Sequence, residues 1–177
     1  MGMLVFALLL CWARLPVAAC GYHDSPEARK NVQKGMLNWV YPNSLHVHWP
    51  IWQAQAEGKL PSADTLSFQE TERVLKVLSS RFGKLTPADR LERFSMVLVE
   101  TVLWSQFTVA GSQCEVAIDV EDPIIGQLVV VTDEPVLYAL EKDSLALSVA
   151  LESGLVKLYG QPEQVSNFLD LYGTVGG

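Results

Sequence analysis

Apolar positions recur with a helical period through much of the first half of this chain, and with a period nearer two in parts of the second. Ser25 and Pro26 open a helix predicted over 25–39, where Val32, Met36, Leu37 and Trp39 form a partial apolar stripe weakened by Gly35. Tyr41-Pro42-Asn43-Ser44 reads as a turn. A second helix is predicted from about Ser44 to Glu57, closed by Gly58, with Pro50 kinking it or marking a new start. A third spans Ala63 to Phe82: Leu66, Phe68, Val74, Leu75 and Leu78 alternate with Glu70, Glu72, Arg73 and Lys76, and Gly83 stands at its end. Thr86 and Pro87 have the pattern of a further helix start. Phe94 to Val109 is rich in β-branched and aromatic residues, which favours a switch to strand near Phe94; a buried helix continuing to Trp104 is the alternative.

Beyond the turn at Ala110-Gly111-Ser112, Glu115 to Val120 alternates polar with apolar, as a half-buried strand does. Gln127 to Thr132 reads as a short central strand. Asp133 then caps a helix to about Glu141, and Ser144 caps another from Leu145 to Glu152, closed by Gly154. Leu155 to Tyr159 is a strand ended by Gly160, and Pro162 opens a last helix, Glu163 to Leu171. The order implies an α+β fold, a helical N-terminal half packed on a small, mostly antiparallel sheet.

The N-terminus changes the picture from fold to destination. Leu4 to Ala13 is an apolar run of ten residues, enough for the core of a signal peptide and short of the roughly 20 residues that span a bilayer. Small residues follow, up to Val17-Ala18-Ala19-Cys20. Cleavage after Ala19 is one processing route; the other treats the segment as a bacterial lipobox, with Cys20 acylated as the new N-terminus. Met1-Gly2-Met3 lacks the usual positive charge, and Arg14 interrupts the small-residue zone. Residues 1–19 are therefore expected to be a signal peptide, and 20–177 one exported domain, periplasmic or lipid-anchored if the source is bacterial. Contact with a membrane is then expected only through the anchor at Cys20.

Composition narrows the partners. The net charge is −7, one unit more negative once Arg14 leaves, so phosphate backbones repel the chain and nucleic acid is excluded. At 49% apolar residues it can bury a core. Of three cysteines Cys11 leaves with the leader. Cys20 and Cys114 could pair in an oxidising compartment, but only if Cys20 is not acylated.

In residues 127–172 a strand (QLVVVT) meets a helix opened at Asp133 and Glu134. A segment with Ser144, Leu145 and Ala150 follows, then Gly154-Leu-Val-Lys-Leu-Tyr-Gly160 and a closing helix. This stretch resembles the C-terminal half of sterol-carrier-like lipid-binding domains. The resemblance covers about a quarter of the chain. It implies a small α+β domain around an apolar tunnel, with no catalytic residue to carry over. The longer helical region before it, and export itself, depart from that family's pattern.

Candidate chemistry is sparse. His46-Val47-His48, with His23, has metal-binding residue types, yet on a helix positions i and i+2 point about 200° apart and no HExxH or Cys-x-x-Cys accompanies them. Two surface histidines are the plainer reading. Trp39, Tyr41, Trp49 and Trp52 crowd fourteen residues; they could line a groove, form a membrane-interface patch, or pack the N-terminal helices onto the sheet. Glu100, in the apolar run MVLVETVLW, is a candidate acid or base only if it faces inward. No nucleophile elbow, triad spacing or phosphate loop occurs. The expected function is therefore non-enzymatic binding of an apolar small molecule or lipid, without a cofactor, lined by Trp39, Trp49, Trp52 and Trp104. An accessory subunit docking onto another protein is the alternative.

Export is tested by the denatured mass of the protein purified from its own host. A chain beginning at Cys20 plus diacylglycerol is the lipid-anchored outcome, and one beginning at Cys20 and two hydrogens short is the disulfide outcome. An intact Met1 overturns the reading.

Overall fold

The computed structural model describes residues 45–62, 67–120, 123 and 126–177, apart from the Leu45 and Leu91 side chains. The helix predicted over 25–39 lies outside them. In chain order the described elements are α1 (Leu45–Ala56), α2 (Phe68–Leu85), β1 (Leu91–Leu98), β2 (Leu103–Ala110), β3 (Gln113–Ile118) and β4 (Leu128–Thr132). They continue with α3 (Glu134–Glu141), α4 (Leu147–Glu152), β5 (Lys157–Tyr159) and α5 (Pro162–Tyr172). The strands form one sheet in the order β3-β2-β1-β4-β5. Three of its pairings are antiparallel and β1–β4 is parallel, so the expected α+β class with a mostly antiparallel sheet holds.

β1 is central, flanked by β2 and β4, which is why residues 94–99 are buried without alternation. β3 lies at an edge and keeps the alternating pattern of a half-covered strand. The β1–β2 register sets Phe94 opposite Phe107, Met96 opposite Ser105 and Leu98 opposite Leu103 on one face. Val97 and Trp104 oppose each other on the other face.

α2 is the main helix on the first face. Ser67 caps it by accepting from the Glu70 amide at 3.3 Å, and Val74, Leu75, Leu78 and Phe82 form its buried stripe. Gly83 does not end this helix; it lies inside it, because a Cβ there would stand 2.8 Å from the Ser112 carbonyl oxygen of the β2–β3 turn. Thr86 likewise ends α2 rather than opening a helix. Its Oγ1 donates to the Phe82 carbonyl at 2.9 Å, and Pro87 falls in the turn to β1.

The apolar stretch 94–109, read from sequence as one strand, is a hairpin that turns at Val99–Val102. The turn was hidden because Val99-Glu100-Thr101-Val102 contains no Gly, Pro, Asn or Asp to mark it. Val102 pays for the turn with φ +53°, a left-handed conformation costly for a β-branched residue. Ser144 does not cap α4: its Oγ donates to the Ala139 carbonyl at the end of α3, and α4 starts at Leu147.

α3 is tied to α2 by ions as well as by packing. Arg73 bridges Glu70 (2.8 Å) and Glu141 (3.1 Å), and Arg81 holds Asp143 at 2.6 Å and the Leu140 carbonyl at 2.8 Å. The Tyr138 hydroxyl also donates to Glu70. These donors hold the Glu70 carboxyl at a pKa of about 2, Arg73 first and Tyr138 next. A lowered folded pKa stabilises the protein above the unfolded value, near 4.3, and the gain is lost as pH falls toward 2. Urea midpoints should therefore drop through that window in the wild type, and less steeply in Glu70→Gln.

Packing makes two further predictions. Phe82→Ala should cost about 3–5 kcal/mol in urea unfolding. Gly83→Ala should cost about 1–3 kcal/mol, because backbone and not a flexible side chain occupies the space.

Candidate functional site: a mouth at the aromatic layer

Five rings fill the space between the sheet and the helices. Phe94 and Phe107, opposite each other in β1 and β2, stack at 4.7 Å. Phe82 of α2 meets both edge-on at 5.4 and 5.6 Å, and Tyr172 of α5 approaches Phe82 at 4.9 Å. Phe168 closes the group at 5.1 Å from Phe94. Tyr172 donates its hydroxyl to Thr86 Oγ1 at 2.7 Å, and burial pushes its pKa up to about 12.

A cavity reaches this layer from its margin. Of about 250 Å³, it lies between the N-terminal ends of β1 and β4 and the inner side of α5. Phe94, Leu128, Phe168 and Tyr172 give it an apolar floor; Glu92, Arg93, Gln127 and Gln164 give it a polar rim. Gln164 sets the width. Its Oε1 accepts from the Gln161 amide and its Nε2 donates to the Gly126 carbonyl, both at 2.9 Å, which pins the start of α5 to the chain entering β4. Gly160 allows that approach, since a Cβ there would meet Leu128 Cδ1 at 2.9 Å.

The residues singled out from sequence fall elsewhere. Trp49 and Trp52 are brought together, with ring centroids 5.2 Å apart, on the exposed side of α1. Packing onto the sheet is thus not what they do. Trp104 is buried in β2, on the sheet face opposite the ring layer. Trp39, His23 and Cys20 lie outside the described residues. His46 and His48 are exposed on α1, and among the described residues no three His, Cys, Asp or Glu side chains gather as a metal site. Cys114 is partly buried, and burial raises its thiol pKa to about 11.

Sequence reasoning missed the mouth. Its floor residues read as ordinary core positions, and only the amphipathic spacing of Phe168 and Tyr172 on α5 hinted at a shared inner face. The condition set for Glu100 as an acid or base, that it face inward, is not met. Glu100 is exposed in the β1–β2 turn, while Asp133 and Glu134 are buried at the start of α3. Asp133 Oδ1 accepts from the Glu134 amide (3.1 Å) and the Glu100 amide (3.3 Å), and Thr101 Oγ1 donates to Glu134 Oε1 at 2.8 Å. The pair clamps the strained hairpin turn to α3, a structural task.

No protein-family model matches the chain. No curated protein matches it either. Among solved structures it is similar to the inverting sec-alkylsulfatase Pisa1 from a Pseudomonas species, at 18% identity over 54% of this chain and a TM-score of 0.41. It spans only 15% of that enzyme. It is also similar to sterol-carrier-type domains. The palmitated SCP2L2 of Aedes aegypti aligns at 18% identity over 57% of this chain and 92% of that one, TM-score 0.42. The UbiJ-SCP2 ubiquinone synthesis protein aligns at 13% identity over 64% and 93%, TM-score 0.37. The weak sterol-carrier-like resemblance read from residues 127–172 thus recurs among solved structures.

Burial, with the Glu134 charge second, raises the Asp133 pKa well above the ordinary value. A raised folded pKa means stability that is full below the unfolded value, near 3.9, and lost as pH rises through the folded one. Asp133→Asn keeps the cap oxygen and removes the charge. It should unfold at higher urea than the wild type at pH 8, with the difference shrinking toward pH 4.

Proposed function

We propose that this chain is an exported, non-enzymatic domain that binds an apolar small molecule or the acyl end of a lipid at the mouth beside α5. The observation that carries the reading is the opening in the ring layer, an apolar floor under a polar rim. At about 250 Å³ it is smaller than the roughly 300–1,000 Å³ of drug-sized sites, so it suits a chain segment whose polar end stays in water near Arg93 and Gln127. A ligand enclosed whole would require the five rings to part. Export is supported by the apolar run Leu4–Ala13 and the small residues leading to Cys20.

Palmitate, the acyl group named for one of the similar domains, is the probe. Titration of the isotope-labelled protein should move the amide signals of Gln127, Gln164 and Phe168 saturably. Leu128→Trp, which fills the floor, should weaken binding at least about ten-fold while circular dichroism stays that of the wild type. Saturable shifts confined to other residues, or none, would sink the assignment.

A further inference from the structure

α1 is apolar on two sides. Val47, Ile51 and Ala54 are buried and hold the helix to the core, while Trp49 and Trp52 point away, 62% and 53% exposed. Leu45 to Ala56 (LHVHWPIWQAQA) contains no Asp, Glu, Lys or Arg, in a chain where 19% of residues are charged. Beside the uncharged polar residues His46, His48 and Gln53, the two rings form an exposed apolar patch, and such a patch marks a contact surface. Nothing among the described residues buries these two rings.

The chemistry of the pair selects the cover. An indole has a large apolar body and one N–H that prefers to stay wet, so tryptophan collects at the headgroup level of bilayers. No described helix is long and apolar enough to cross a membrane, and a twelve-residue helix held to the core along one side can only lie in the surface plane. The position of α1 in the chain fits. Cys20, read as the acylated N-terminus left after the leader (residues 1–19) is cut away, lies 29 positions before Trp49. Even fully extended, the chain from Cys20 to Trp49 reaches only about 100 Å, so an anchor at Cys20 keeps the rings close to its bilayer. Charge sets the lipid. With −7 on the chain and no formal charge on α1, an anionic surface repels and a zwitterionic one does not.

We infer that α1 docks the protein onto a zwitterionic bilayer surface by burying Trp49 and Trp52 at headgroup depth. The Trp pair and the mouth are separate features, so palmitate binding and membrane docking can fail independently.

The test uses the full-length protein carrying Cys20→Ser, which removes acylation, added to phosphatidylcholine vesicles with and without brominated acyl chains. The comparison protein carries Trp49→Ser and Trp52→Ser in addition. Leader residues are common to both, so the difference reads the two indoles alone. Because both rings are exposed, circular dichroism and thermal midpoint should match. Trp12 in the leader run responds equally in both proteins; vesicles should shift the emission of the first protein further to the blue, and bromine should quench it more, than in the second. Equal shift and quenching in the two proteins overturns the inference. So does shielding of the pair from acrylamide without vesicles, which assigns the cover to residues 1–44. A dimer that the double substitution dissociates overturns it as well, by assigning the cover to a second copy.

Discussion

The edge-on seating of Phe82 against the stacked Phe94–Phe107 pair is the contact on which the domain depends. It joins the long helix α2 to the two central strands, and Phe168 and Tyr172 bring α5 into the same layer. Each ring contributes its own burial and a favourable edge-to-face geometry, and removing one leaves space its rigid neighbours cannot fill. The same rigidity shapes the site. A layer of flexible aliphatic chains could yield to a ligand, whereas five interlocked rings leave room only at their margin, where α5 ends its contact with β1 and β4.

Polar groups do a different job in this fold, and they do it at the junctions of elements. Thr86 ties the end of α2 to Tyr172, and Gln164 ties the start of α5 to the entrance of β4. Asp133 and Glu134 bind the β1–β2 turn, with Val102 in its left-handed conformation, to the start of α3. Two carboxyl groups respond to pH in opposite senses because their surroundings differ. Glu70 gains donors on a wet surface, so its ionised form is favoured; Asp133 gains burial beside another acid, so its neutral form is favoured.

α1 stands apart from the ring layer. Its Pro50 lies 3.7 Å from the Cβ position of Gly154, near the start of β5, so it packs on the side of the sheet distant from the β3 edge. On the function proposed above the mouth takes an apolar chain, and on the further inference the exposed indoles face a bilayer.

Local pattern was enough to determine the α+β class, the capped start of α3, the opening of α5 at Pro162, the strand at 128–132 and the alternating, half-buried strand β3. These rest on caps and periodicity within a few residues of one another, and local hydrogen bonds and burial of one face decide them. The β1–β2 hairpin was not legible, because its turn carries none of the Gly, Pro, Asn or Asp residues by which a turn is recognised and the flanking strand is buried on both faces. Gly83 read as a helix end for a similar reason: its meaning comes from the Ser112 carbonyl, 29 positions away, pressing on the helix. The mouth belongs to the tertiary structure entirely. Phe94, Leu128, Phe168 and Tyr172 are indistinguishable from core residues along the chain, and only the parallel pairing of β1 with β4 and the docking of α5 gather them, still buried, beneath one polar rim. Sequence alone determines which residues seek burial; which of them the packing leaves uncovered is settled only when distant elements meet.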